Sequence, residues 1–303
     1  MRFAYYPGCT AKGSTREADL ATKWLARRVG IDLVELVDAG CCGSCEIKAV
    51  NPTLHFMLNA RILTMAADQD LEILTICDTC QANLLHTSRR MQEESDAKRS
   101  LLERLKTAGV AYRSTPRVRH VASILMDELG ETELHPYVVR PLAGLRVAPF
   151  ACCHSFRGPG ASPGSRELLA ELVTLSGATV VPVRIDSDCC GFHILMTNET
   201  LAARASAKFL ARCVEMQADC IVTTSPLCHT ALDIFQKKAE AVAGRPFRVP
   251  VLHLEQLLAL AFGAQPDVIG LGRHMVSTVS VARHPRMAAR NTDPGLVSYG
   301  EPR

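Results

Sequence analysis

Thirteen of the 303 residues are cysteine, and most of them fall into motifs that recur. The stretch "AGCCGSC" carries the doublet Cys41–Cys42, followed by Gly43 and Cys45, while "CDTC" runs from Cys77 to Cys80 and Cys9 stands near the start. Cys41, Cys42, Gly43 and Cys80 return at one constant offset as Cys189, Cys190, Gly191 and Cys228, and Cys9 returns at a slightly shorter offset as Cys153. The departure is Ser225, which stands where the second copy would match Cys77. Matched positions at a single offset, two of them adjacent, indicate an internal duplication. Structural zinc takes four ligands, usually from two short pairs. The first set here (Cys9, Cys41, Cys42, Cys77, Cys80) contains one short pair and one thiol too many. An iron–sulfur cluster holds several irons, each seeking thiolate, so adjacent cysteines can reach neighbouring metals. A redox dithiol at "CDTC" at a helix start is a third reading, but it leaves Cys9 and the doublets without a task. Cys213 and Cys220 read as small buried hydrophobes.

The elements around these motifs alternate. "RFAYYP" and "LRVAPF" are short apolar runs that lead into Cys9 and Cys153 and read as strands. "STREADLATKWLARRVG", with Ser14 as N-cap and Gly30 as stop, and "SPGSRELLAELVTLSG" read as the helices that follow. "IDLVELV" and "ATVVPV" are second strands, each leading to Cys-Cys-Gly, and "LEILTI" and "CIVTT" are third strands running into the last motif. Strand–helix alternation predicts an α/β fold: two repeated parallel-sheet domains with right-handed crossovers. Every cysteine motif then lies just past the C-terminal end of a strand, the edge where open parallel sheets bind ligands. The expected organisation is a first domain over 1–140, including linking helices, a second over 141–272, and a tail over 273–303 that could dock a partner. "MQEESDAKRSLLERLKTAGV" and "PRVRHVASILMDELG" read as amphipathic helices, the second with an apolar stripe that includes Val118, and "LHPYVVRPLAG" as an exposed connector.

Order, spacing and the glycines after the doublets resemble the CCG domain, present twice, of the heterodisulfide reductase B subunit and its relatives. Ser225 shifts the likeness towards the heterodisulfide reductase-like B subunits of sulfur oxidisers. The resemblance implies two [4Fe-4S]-type clusters, the first non-cubane, acting on the sulfurs of a disulfide. Residue by residue, it assigns the first cluster to Cys9, Cys41, Cys42, Cys77 and Cys80. The second falls to Cys153, Cys189, Cys190 and Cys228, and Ser225 leaves its type open. It places the ligand at Cys153 rather than Cys152. It also implies a ferredoxin-like C subunit and a flavin-bearing A subunit as partners, since this chain has neither a ferredoxin-type cysteine run nor a dinucleotide fingerprint. Two alternatives remain open: an electron-relay CCG subunit of a lactate, glycolate or succinate oxidation complex, and a zinc-stabilised scaffold without activity.

Histidine follows three second-half motifs, at His154, His193 and His229. His154 and His193 are the candidates for moving protons at a sulfur substrate, against the plainer readings of ligand orientation or packing. Cys45 could be a spare thiol or an alternative fifth ligand, and reads first as a buried side chain. The glycine-rich "RGPGASPG" from Arg157 to Gly164 lacks phosphate-cradle order and reads as a loop bordering a substrate entrance. Net charge is only +3 and no basic block occurs, so nucleic acid is not an expected partner. The start "MRFAYYPGC" has no leader pattern and "VPVLHLEQLLALAFG" is broken by His253, Glu255 and Gln256, so no membrane span is expected and the expected location is cytoplasmic.

Overall fold

The computed structural model describes residues 1–157, 164–183 and 189–284. Two four-stranded parallel sheets carry the chain. The first has order β2-β1-β3-β4, with β1 Arg2–Tyr6, β2 Asp32–Glu35, β3 Ile73–Thr75 and β4 Val118–His120. The second has order β6-β5-β7-β8, with β5 Arg146–Phe150, β6 Thr179–Val180, β7 Cys220–Thr223 and β8 Val251–His253. Central strands buried on both faces need unbroken apolar runs, and β3 (Ile73, Leu74, Thr75) and β7 (Cys220 to Thr223) are buried throughout. The duplication extends to the ladder. Tyr6 pairs with Thr75 in the first sheet, and Phe150 pairs with Thr223 in the second.

Local signals repeat too. Asn51 and Asn198 cap the helices Pro52–Ala67 and Glu199–Glu215, their side chains accepting the N–H groups of Leu54 and Leu201. Asn198→Ala is therefore expected to lower stability by about 1 kcal/mol, read as a fall in melting temperature. The glycines after the doublets, Gly43 and Gly191, sit at φ 81° and 79°. A Cβ on Gly191 would lie 2.8 Å from the Cα and O of Ala202, whereas on Gly43 it would meet the side chain of Ile47 at 3.0 Å. Gly191→Ala is expected to cost about 1–2 kcal/mol from left-handed strain alone. Displacement of backbone adds to that, so it should melt at a lower temperature than Gly43→Ala.

Several expectations are corrected. Val118 does not open a helix: Val118–His120 is an edge strand beside β3, and the helix begins at Val121. The apolar spacing suits both, and pairing with the edge of β3 decides it; Arg119 on this strand reaches Asp127 and Glu128. A further strand, β8, emerges from the apolar "VPVLHLEQLL". In "ATVVPV" only Thr179–Val180 pairs with β5. The helix Arg16–Arg28 starts after Thr15 rather than Ser14, with no side-chain cap bond. The connector over 134–144 is not simply exposed: Leu134 and Leu142 are fully buried and Tyr137 packs on Phe262. In the tail, Asp233 accepts the N–H groups of Met275 and Val276, which pins that segment to the second half. Residues 158–163 of the glycine-rich stretch and the tail from 285 onward lie outside the described residues.

One apolar core spans both halves, with Phe3, Tyr5 and Leu74 in the same cluster as Val147, Leu172 and Leu258. A buried bond from the Thr224 hydroxyl to Asp78, 2.7 Å, ties the tip of β7 to the helix after β3. His120 Nε2 lies 3.1 Å from the Thr224 carbonyl. The two sets of strand tips therefore face a common junction.

Candidate metal centres at the strand tips

In the first half, three strands deliver the cysteines. Cys9 opens the short helix Cys9–Lys12 after β1. The Cys41–Cys42 doublet occupies the loop after β2, and Cys77 caps the helix Asp78–Gln92 after β3, its sulfur accepting the N–H of Cys80 at 3.4 Å. The Sγ atoms of Cys9 and Cys41 are 3.3 Å apart and those of Cys42 and Cys80 are 3.6 Å apart. None of these cysteines is in a disulfide. Backbone N–H groups of Gly43 and Ser44 point at Cys41 and Cys42 at 3.3 and 3.4 Å, and Asn83 Nδ2 reaches Cys42 at 3.5 Å. Asn59 Nδ2 holds the Cys42 carbonyl at 2.8 Å. The doublet is thus fixed by donors that favour thiolate.

Thiols this close cannot all ionise unaided. Hydrogen bonds from Cys41 and Cys80 pull Cys42 well below the ordinary thiol range. Cys80, facing Cys42 and Cys77, is driven well above it, and Cys9 is driven up by Cys41 and burial. Metal cations relieve this conflict by accepting every sulfur as thiolate. The donor set, all sulfur and convergent from three strand tips, fits a thiolate-ligated iron–sulfur group.

The second half repeats the plan. Cys153 opens the helix Cys153–Phe156, Gly191 N–H points at Cys189 Sγ at 3.4 Å, and Cys228 lies in the helix Pro226–His229. Cys153 and Cys190 draw Cys189 down to about 2, while Cys153 is pushed far up by Cys152 and Cys189. Ser225 is the N-cap of the helix Pro226–His229 without a side-chain bond, and its fully buried Oγ has no partner. Cys152, the neighbour of the expected ligand Cys153, is 2 % exposed and also sits at this site, interacting with Cys153 and Cys228.

The histidines fall into two groups. His154 Nε2 lies 3.4 Å from Cys45 Sγ and its Nδ1 lies 3.5 Å from Thr79 Oγ1, so it bridges to the first half. His193 Nδ1 is 3.1 Å from Glu46 Oε1, and the His154 and His193 rings meet edge-on at 5.1 Å. Cys45 is therefore not a buried bystander but a half-buried thiol at the junction. Burial alone would raise it, yet bonds to His154 and His193 outweigh burial and hold it at about 6. His154 is correspondingly raised to about 10 by Cys152 and Cys45. His229, by contrast, packs within its own half: its Nε2 is 3.0 Å from the Val251 carbonyl and its ring stacks on His253. Asn59 and Asn83 belong to no motif that could reveal them.

Comparison with known proteins agrees with this layout. The model of the cysteine-rich domain, CCG, matches residues 3–85 and 147–233. The chain belongs to the CCG cysteine-rich domain family. Each CCG repeat covers the first three strands of one sheet and its cysteine motifs, and leaves out the edge strands β4 and β8. The chain is 32 % identical over 286 residues to the 8-methylmenaquinol:fumarate reductase membrane anchor subunit of Wolinella succinogenes, covering 92 % of this chain and 98 % of that one. It is 28 % identical over 291 residues to the B subunit of the ferredoxin/F420H2-dependent CoB-CoM heterodisulfide reductase of Methanosarcina acetivorans, covering 92 % and 95 %. A protein of Archaeoglobus profundus that is itself like the heterodisulfide reductase B subunit is 26 % identical over 278 residues, covering 89 % and 93 %. The fold matches the crystal structure of a hypothetical protein from Helicobacter pylori with TM-score 0.72 at 15 % identity, covering 91 % of this CCG chain and 52 % of that one. Among the described residues, no helix is long and apolar enough to cross a membrane.

Proposed function

We propose that this chain is an iron–sulfur redox subunit of a heterodisulfide reductase-type complex, acting on disulfide or carrier-bound sulfur. The observation that carries the reading is the convergence of Cys9, Cys41, Cys42, Cys77 and Cys80 from three strand tips, with sulfur separations of 3.3 and 3.6 Å and no disulfide. Cys153, Cys189, Cys190 and Cys228 are the corresponding ligands of the second half. Bound there, four-iron clusters would supply one-electron steps and open iron positions for substrate sulfur.

The chain's own residues then have defined tasks. Gly43 and Ser44 N–H groups and Asn83 orient the doublet and favour its thiolate form. His154 and His193, held by Cys45, Thr79 and Glu46, stand at the junction of the two centres and would give or take the proton when a sulfur–sulfur bond is broken or made. Electrons must enter or leave through other subunits. A ferredoxin-like C subunit and a flavin-bearing A subunit are the partners the heterodisulfide reductase relatives suggest, and association with them in the cytoplasm is part of the same proposal.

A second reading is supported by the 32 % identity to a fumarate reductase subunit. In that case the centres relay electrons and bind no substrate sulfur. One experiment separates the readings. The chain is loaded anaerobically with iron and sulfide, and its EPR spectrum is followed while a small aliphatic thiol is added under oxidising conditions. A new thiol-dependent signal is expected. Iron without thiol response would move the assignment to the relay, and a chain purified with zinc that takes up no iron would move it to a scaffold. His154→Gln is expected to keep the iron but slow thiol-dependent turnover by about 10²–10⁴-fold, the range for loss of a positioned proton donor.

A further inference from the structure

The duplicated ladder fixes which residues of the two halves are equivalent. Tyr6 and Phe150 hold the same register against Thr75 and Thr223. Two residues past them, Gly8 matches Cys152 and Cys77 matches Ser225. One half thus has Gly and Cys at two neighbouring strand tips, and the other has Cys and Ser. We infer that Cys152 is the fifth sulfur ligand of the second centre, carried on the tip of β5 instead of the tip of β7, so that both halves hold their metal group with five cysteines.

The sulfur neighbours support this transposition. In the first half the thiols interact in the order Cys9, Cys41, Cys42, Cys80, Cys77. In the second the series runs Cys153, Cys189, Cys190, Cys228, Cys152 and closes on itself, because Cys152 meets Cys153 as well as Cys228, the sulfurs of Cys152 and Cys153 lying within 4.8 Å of each other. Cys152 takes the place of Cys77 against the last member of the series. Geometry at the matching glycine agrees. A Cβ built on Gly8 would lie 3.0 Å from Cys80 Sγ, so this strand tip lies against the final cysteine. The backbone explains why only one half uses the position. Gly8 has φ 81°, closed to a cysteine without strain, whereas Cys152 has φ −66°. Ser225, relieved of the task, leaves a fully buried hydroxyl with no partner. A serine hydroxyl is a far poorer anion than a thiol and a harder donor for iron.

This inference rests on the iron–sulfur reading, and the test keeps the two apart. Wild type, Cys152→Gly, Ser225→Ala and the exchange Cys152→Gly/Ser225→Cys are loaded anaerobically with iron and sulfide. Iron, acid-labile sulfide and EPR signals are then measured per chain. Wild type should hold about eight irons, as two four-iron groups require. Cys152→Gly should lose about half the iron and one of two sets of signals, and the retained first-half signals report that the chain is folded. Ser225→Ala should match wild type, and the exchange, which recreates the first-half pattern, should restore both iron and signals. Full iron and unchanged spectra in Cys152→Gly, or iron loss in Ser225→Ala instead, would overturn the assignment. Wild type that takes up no iron would overturn the cluster reading itself.

Discussion

Cys42→Ala is expected to strip the first half of its iron while the second half stays loaded. Cys42 is the centre of the first donor set: it is 3 % exposed, accepts N–H bonds from Ser44 and Asn83, and lies 3.6 Å from Cys80. Its removal leaves Cys41 and Cys80 without the sulfur between them. The second half draws on different strands and different thiols, so iron per chain should fall by about half. Because metal ligation contributes directly to folding, the loaded variant should also melt at a lower temperature than wild type. Cys213→Ala is the control. That thiol is fully buried in the helix Glu199–Glu215, pushed up by burial and by Cys220 at the start of β7. It should cost on the order of 1 kcal/mol as an ordinary core truncation and leave the iron untouched. Equal iron loss in the two variants, or none in Cys42→Ala, would remove the distinction between site cysteines and core cysteines.

The duplication makes much of this architecture legible from residues alone. Repeated strands and repeated cysteine motifs point to the two parallel sheets and to the edge at which the motifs gather. They also separate Cys213 and Cys220, buried in a helix and a strand, from the rest. What escapes are features set by tertiary contact. Val118–His120 has too few residues to outweigh the helical periodicity around it, and it becomes a strand because β3 offers it an edge. Cys45 has His193 rather than a cysteine at its repeat position, so no repeated motif links it to His154, more than one hundred positions away, until the halves fold together. The family resemblance favours Cys153 over Cys152, and spacing alone does not separate two adjacent cysteines at one strand tip. The exchange between neighbouring tips becomes visible only in the register of β5 against β7. Motif spacing reports ligands that stay in place, and misses one that moves sideways across a sheet.

Glu255→Gln is expected to stabilise the protein above neutral pH and to have little effect near pH 5. Glu255 is 1 % exposed in the helix Leu254–Ala261, and its Oε1 has no hydrogen-bond partner. Burial raises its carboxyl from 4.5 to about 8, with Tyr5 and Asp78 as the other titratable groups that feel its charge. The folded state therefore holds a proton that the unfolded state releases at lower pH. Stability from this group is fully present below about pH 4.5, falls as pH rises towards 8, and is flat beyond. Each pH unit in that window is worth about 1.4 kcal/mol, so the total is on the order of a few kcal/mol. Glutamine keeps the shape and the donor of the neutral acid but cannot ionise. The observable is the difference in unfolding free energy between variant and wild type at pH 5, 7 and 9. This difference cancels the opposite contribution of buried His120, which is held near 4 in the folded state and favours folding as pH rises. It should grow in the variant's favour from pH 5 to 9. A constant difference would mean that Glu255 is ionised in the fold already, paired with a charge brought in by the metal centres or by a partner subunit.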